Sequence, residues 1–223
     1  MRQKCKRFEA NKSLDHLIEP GKSIYKNIKG QWNRLYFQND YPITLEIGCG
    51  HGAYTIGLAK IFPERNFIGI DLKGDRLWKG AQEAKIYGLQ NVAFLRAQAT
   101  HLLDFFEENE VAEIWITFPD PRPKTRDIKR RLTSLRFLKL YQTMLIEGKR
   151  VHLKTDSNLL FQYTLDVLQG QGIQPYDYTR DLYGSILIDN HFGIQTTYEK
   201  RFIPQGMPIY YLSFVLKAAN LTL

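Results

Sequence analysis

Ile43-Thr44-Leu45-Glu46-Ile47-Gly48-Cys49-Gly50-His51-Gly52-Ala53 is the stretch on which the fold turns. Ile43 to Ile47 reads as a short apolar strand, and the amphipathic residues near 53–62 read as a helix. The glycines between them let the backbone turn sharply and approach a ligand, while the helix start offers free N–H donors to an anionic group. Strand, glycine loop and helix in that order imply a nucleotide-like cofactor. The same alternation continues downstream. Candidate strands lie at 43–47, 66–70, 92–96, 112–118, 149–154, 173–178 and 208–216, with helical candidates near 53–62, 73–87, 100–108, 134–146 and 157–170. That pattern predicts an α/β fold, a doubly wound, mostly parallel seven-stranded sheet with helices on both faces. Between the last two strands there is only a short helical piece at 196–202, so the final strand is expected to run antiparallel.

Residues 1–40 lack a strand pattern. Apolar residues spaced helically from Ser23 to Phe37 predict a lead-in helix behind a basic tail. The expected organisation is therefore residues 1–40 as tail and lead-in helix, and residues 41–223 as the α/β domain. The 223 residues are 43% hydrophobic, enough for a full core. The longest apolar run, Ile209 to Leu216 interrupted by Ser213, falls far short of the roughly 18 residues that span a bilayer. The basic start, Met1 to Arg7, leads into no apolar segment of the secretory kind. Two cysteines, Cys5 and Cys49, make no disulfide framework, which fits a cytoplasmic protein.

Charge is distributed unevenly. Of a net +8, residues 1–12 contribute +4 (Arg2, Lys4, Lys6, Arg7 and Lys12 against Glu9) and residues 120–131 another +4 (Arg122, Lys124, Arg126, Lys129, Arg130 and Arg131 against Asp120 and Asp127). The rest of the chain is neutral. Two short basic segments on a neutral body point to a localised polyanion contact, nucleic acid ahead of a membrane surface; the bland alternative is a solubility tail and a solvated loop.

The glycine loop fits two cofactors. Gly48, Gly50 and Ala53 match the G-x-G-x-x-A of dinucleotide sites, and Glu46, Gly48, Gly50 and Gly52 match the acidic-x-G-x-G-x-G of S-adenosylmethionine enzymes. Asp71, closing the second strand, can accept hydrogen bonds from ribose hydroxyls in either case. Two features favour the methyl donor. Glu46 lies inside the strand, a costly place for a carboxylate without a partner. Thr117-Phe118-Pro119-Asp120-Pro121-Arg122-Pro123-Lys124 then forms a proline-stiffened turn at the carboxyl edge of the sheet, for which a dehydrogenase has no use.

At these residues the sequence resembles the bacterial tRNA (guanine-N7)-methyltransferases, which act on guanine 46 of the variable loop. The resemblance rests on Glu46 to Gly52, Gly69-Ile70-Asp71, Phe118-Pro119-Asp120-Pro121, Lys129-Arg130-Arg131-Leu132, Lys154-Thr155-Asp156 and Thr196-Thr197-Tyr198-Glu199, in the family's order. It implies a Rossmann-like methyltransferase domain, S-adenosylmethionine as cofactor and tRNA as partner. It also implies cofactor contacts from Glu46, Gly48, Gly50, Gly52, Asp71, Gln98 and Asp120, with Asp120 catalytic. Lys124, Asp156, Thr196, Thr197, Tyr198 and Glu199 would hold the substrate. Arg122 stands where the family has Trp, Asp127 where it has His or Asn, Asp71 where it has Glu, and Gln98 where an Asp or Asn contacts the adenine side. A monomer or homodimer is expected.

The chemistry suits the residues. Guanine N7 has a lone pair and no proton, so attack on a sulfonium methyl needs alignment and exclusion of water rather than a general base. Asp120 and Asp156 can accept from guanine N1–H and its amine, or offset charge on the purine ring. Asp156 or its neighbour Ser157 could instead cap the helix that follows. A base must be extruded or unpaired to be reached, so Arg122, Arg126, Lys129, Arg130 and Arg131 are expected on the RNA backbone. The histidines show no metal-ligand spacing, and no metal is expected. The competing readings are an amino-methyltransferase on nucleic acid, an RNA-binding module with a degenerate cofactor site, and a dinucleotide oxidoreductase.

Overall fold

A computed structural model describes Asn11 and residues 13–216; the basic segment 1–12, Asn11 apart, lies outside the described residues. The strands are β1 (Leu17–Ile18), β2 (Ile43–Ile47), β3 (Asn66–Asp71), β4 (Val92–Arg96), β5 (Val111–Thr117), β6 (Leu145–Thr155), β7 (Pro175–Thr179) and β8 (Tyr210–Val215). They form one sheet in the order β1-β4-β3-β2-β5-β6-β8-β7. All neighbours pair in parallel except those of β8, which runs antiparallel to both β6 and β7. The helices are α1 (Ala53–Ile61), α2 (Gly74–Ile86), α3 (Leu135–Met144), α4 (Asn158–Gly170) and the short α5 (Thr197–Phe202).

Alternation along β2 explains the layering. Ile43, Leu45 and Ile47 pack with Phe137 and Leu138 of α3 and Leu160 and Phe161 of α4 on one face. Glu46 points to the other, where Tyr54, Ile56 and Leu58 of α1 and Leu77, Ala81 and Ala84 of α2 cover Phe67, Phe94, Trp115 and Tyr211. Each helix buries one apolar stripe against the sheet, the arrangement a mostly parallel sheet requires. Both neighbours of β2 are reached in opposite directions, so its carboxyl end is the topological switch point, where open α/β sheets bind ligands.

Two expectations are corrected. The sheet has eight strands rather than seven, because Leu17–Ile18 pairs with Phe94 and Leu95 at the edge. Two residues carry no periodicity, so nothing in the sequence could announce them. Nor is there one lead-in helix. Ser23–Lys26 is a 3-10 turn and Trp32–Phe37 a π turn, with Gly30 at φ +66° between them breaking the run. The apolar spacing still serves burial: Ile28 and Trp32 are fully buried, the Trp32 indole stacks 5.5 Å from Phe106, and its Nε1–H donates to the Phe105 carbonyl at 2.8 Å. No helix among the described residues is long and apolar enough to cross a membrane.

Below the switch point, the inner face carries a polar ladder. His152 stacks on Trp115 at 4.1 Å, contacts Glu113 Oε1 at 3.0 Å through Nε2, and meets the Tyr211 hydroxyl at 2.9 Å through Nδ1. Arg65 reaches Glu113 Oε2 at 2.9 Å.

Candidate active site

The carboxyl ends of β2 to β6 open into a cleft of about 1140 Å³. Its floor is Glu46, only 3% exposed. Thr55 donates to Glu46 Oε2 from its backbone at 2.8 Å and from its hydroxyl at 2.5 Å, and Thr117 donates to Oε1 at 2.5 Å. Burial pushes this carboxyl above the usual range, against those bonds and the Lys154 ammonium. Partners for a buried carboxylate were the condition for its place in the strand, and Thr55 and Thr117 meet it.

The loop above is pinned to β3: Gly48 and Cys49 both donate to the Ile70 carbonyl, and Gly50 donates to Asp71 Oδ2 at 3.1 Å. Asp71 Oδ1 accepts from Lys73 N at 2.8 Å, leaving further lone pairs towards the cleft it lines. Gly52 has φ +74°, and a Cβ there would sit 2.3 Å from Phe94 Cε1, so only glycine allows α1 to start this close to the sheet. Cys49 is buried, and burial beside the Glu46 and Asp71 carboxylates pushes its thiol well up, so it remains protonated. Gln98 lines the cleft at the end of β4, exposed. The Tyr54 hydroxyl, on another cleft-lining residue, is buried with no hydrogen-bond partner among the described residues.

The opposite wall is the turn after β5. Phe118 and Arg122 take positive φ, 47° and 48°, costing about 1–3 kcal/mol each for residues with a Cβ. Several bonds hold the turn in place. Phe118 N donates to the Lys154 carbonyl at 2.8 Å. Asp120 accepts from Arg122 N at Oδ1 and from Arg122 Nε at Oδ2, both at 3.1 Å, so Arg122 orients the carboxylate. Arg131 donates from Nε to the Pro121 carbonyl at 3.0 Å and from Nη2 to the Arg122 carbonyl at 3.0 Å, and its guanidinium lies 4.3 Å from the Tyr163 ring.

Asp156 lines the cleft beyond β6, and Ser157, which accepts from Leu160 N at 3.2 Å, is the cap of α4. Thr196, Thr197 and Tyr198 close the remaining side, with the Tyr198 ring stacked 6.0 Å from Phe118. Most expected site residues therefore converge: Glu46, Gly48, Gly50, Asp71, Gln98, Asp120, Arg122, Lys129, Arg130, Asp156 and Thr196 to Tyr198 all line one cleft.

Others do not. Lys124 and Arg126 are exposed but outside the cleft wall. Arg131, expected on the RNA backbone, is only 5% exposed, and its guanidinium donates to carbonyls of the Asp120 turn. Glu199, expected at the substrate, has its carboxylate fully buried behind the wall, 2.8 Å from Lys154 Nζ. Sequence reasoning missed Lys73 and Arg76, after β3, and Arg136, at the start of α3, all in the cleft wall. They belong to no charge run; Lys73 is the N-cap of α2, and Arg76 and Arg136 stand in the first turns of α2 and α3.

A parallel sheet with one antiparallel strand, a glycine loop pinned by an acidic residue on the next strand, and a carboxylate-lined cleft at the switch point define a Rossmann-like methyltransferase. The family model described as "Putative methyltransferase" matches residues 40–212. A tRNA (guanine-N(7)-)-methyltransferase of Cytophaga hutchinsonii is 48% identical over 215 residues, covering 96% of this chain and 97% of that one. One of Porphyromonas gingivalis is 50% identical over 190 residues, covering 85% and 77%. The chain belongs to the tRNA (guanine-N7)-methyltransferase family. Among solved structures, the 16S rRNA methyltransferase KamB aligns with TM-score 0.64 at 16% identity, covering 84% of this chain and 93% of that one. A SAM dependent methyltransferase from Aquifex aeolicus aligns with TM-score 0.55 at 12% identity, covering 97% and 100%. These two likenesses concern the fold alone.

Proposed function

We propose that the protein transfers a methyl group from S-adenosylmethionine to N7 of guanine 46 in the tRNA variable loop, giving 7-methylguanosine, and that it does so in the cytoplasm. The observation that carries this reading is the meeting of Asp120 and Asp156, from two different strand ends, in one cleft with Glu46 and Asp71. The donor set fits the cofactor. A buried carboxylate suits a cationic amino-acid end, Asp71 suits ribose hydroxyls, Gln98 can pair with adenine through its amide, and the Tyr54 hydroxyl has a bond to give. When bound, S-adenosylmethionine supplies an electrophilic methyl group on a sulfonium sulfur.

The protein's own task is placement. N7 needs no proton removed, so Asp120 and Asp156 serve as acceptors for guanine N1–H and its amine and offset charge spreading into the ring. Arg122 holds both Asp120 oxygens, which reduces the reorganisation left for the moment of reaction. The Phe118–Tyr198 pair offers an aromatic surface for an unstacked base and excludes water. Lys129 and Arg130 at the rim, with Lys124 and Arg126 farther along the same exposed segment, suit phosphate contacts.

Unmodified tRNA incubated with labelled S-adenosylmethionine and digested to nucleosides should yield label in 7-methylguanosine, and none when position 46 is changed to adenine. Asp120→Ala should lower turnover by about a thousandfold or more with an unchanged circular dichroism spectrum. Label on an exocyclic amine, or no label, defeats the proposal.

A further inference from the structure

We propose that Lys154 is a positioning residue that sets the substrate wall of the cleft, and that Glu199 acts through it rather than by touching the base. This rests on the methyltransferase reading of the same cleft. Lys154 is 0% exposed, yet it is tied to two walls of the cleft and faces its floor. Its carbonyl accepts from Phe118 N at 2.8 Å and so fixes the turn that carries Asp120. Its ammonium lies 2.8 Å from Glu199 Oε1 and 4.8 Å from the centre of the Tyr54 ring; burial lowers its pKa, and the Glu199 and Glu46 carboxylates oppose that shift. Its strand ends one residue on, at Thr155, and Asp156 follows directly.

Glu199, at the other end of the pair, has partners on both carboxylate oxygens. Oε2 accepts from Thr196 N at 2.9 Å, and Oε1 accepts from the Tyr183 hydroxyl at 3.1 Å and is ion-paired with Lys154. Thr196 Oγ1 returns a bond from Glu199 N at 3.3 Å, completing a capping box at the start of α5. The box turns Thr196, Thr197 and Tyr198 into the cleft and the carboxylate away from it. For Glu199 to reach a base, two hydrogen bonds of its carboxylate and an interior ion pair would have to break. An interior ion pair is a poor way to gain stability, since well-packed apolar residues of similar volume often do as well or better; its use here is to fix one arrangement of the 196–198 wall against the Asp120 turn.

The pair is tested by a double-mutant cycle in the full-length protein: Lys154→Met, Glu199→Gln and both together. Turnover, KM for tRNA, affinity for S-adenosylhomocysteine and melting temperature are measured for each. Either single change strands one buried partner and should raise the KM for tRNA about tenfold or more. The double variant leaves no unpaired charge and should return to within about threefold of the wild type. Affinity for S-adenosylhomocysteine should move less than the KM for tRNA in every variant. A double variant that melts like the wild type but stays as impaired as Glu199→Gln would show that Glu199 touches the substrate and overturn the proposal, as would a Glu199→Gln enzyme with unchanged KM. Should Lys154→Met not fold alone, Glu199→Gln and the double variant decide between them. A wild-type enzyme that makes no 7-methylguanosine condemns the functional reading instead, and the cycle is then read in tRNA affinity, where the same recovery is expected and its absence overturns the coupling.

Discussion

Arg131 sits in one of the two basic segments of the chain, yet its guanidinium is turned to backbone carbonyls rather than to solvent. Replacing it with Met keeps the methylenes beside Tyr163 and deletes the guanidinium. Hydrogen bonds from a charged donor contribute about 1.5–3 kcal/mol each, and the two carbonyls of Pro121 and Arg122 share the same fork, so the contributions overlap. The guanidinium face over Tyr163 at 4.3 Å adds about 1 kcal/mol. A loss of about 3 kcal/mol follows, which for a domain of this size lowers the melting temperature by about 6–12 °C. Urea unfolding measures that loss, and tRNA binding across a salt series measures the other half of the argument. Each phosphate contact contributes about 0.7–0.9 to the slope of log K against log salt. Arg131→Met should leave that slope unchanged, while Arg130→Ala, at the cleft rim, should reduce it by that amount. A variant of Arg131 with normal stability and a shallower slope would refute the assignment and return the residue to the RNA.

Two further outcomes test the scaffold. Gly52→Ala should cost about 2–5 kcal/mol, from a positive φ and from a Cβ driven into Phe94, and an unchanged melting temperature would contradict the packing described around that ring. Glu113 is affected first by burial, which would raise its carboxyl, but the hydrogen bond and charge of His152 with the charge of Arg65 outweigh it, and the net shift is downward. A depressed acid stabilises the fold fully above its ordinary value of 4.5 and loses that contribution as pH falls through the lowered value. The stability gap between wild type and Glu113→Gln should therefore be widest at neutral pH and close as pH drops below about 4, and a gap that persists in acid would reverse the sign assigned here.

How much of this could be read from the residues differs between fold and site. The strands β2, β3, β4 and β5 declare themselves because each is a short apolar run buried on both faces of a parallel sheet, and the antiparallel β8 declares itself by the missing crossover helix. Leu17–Ile18 could not, since two residues become a strand only because β4 offers an unpaired edge. The segment 23–37 misled for a related reason. Its apolar spacing reports which side chains are buried, and Trp32 and Phe37 are, but Gly30 and the pull of Phe105 and Phe106 on the Trp32 indole decide the backbone.

In the site, motifs located the cleft but not the direction of each side chain within it. Thr196-Thr197-Tyr198-Glu199 reads as four substrate contacts, yet Thr-x-x-Glu is also the signature of a capping box, and a capping box fixes the orientation of its Glu. That signal was available in the sequence. Lys129-Arg130-Arg131 has no such marker, because the carbonyls that capture Arg131 are freed by a turn in which Arg122 takes a positive φ, a conformation not written in its residue type. The placements of Arg131 and Glu199 share one cause. A charged residue next to a functional motif can contact the ligand or hold the residues that do, and composition cannot separate these roles. Burial separates them at once: Arg130 and Tyr198 stand in the wall, while Arg131 and Glu199 are buried and bonded to protein groups, Arg131 to the carbonyls of Pro121 and Arg122 and Glu199 to Lys154, Tyr183 and Thr196. Both kinds of residue would be lost to activity on mutation, so the distinguishing observable is the salt slope for the first pair of roles and recovery in the double variant for the second.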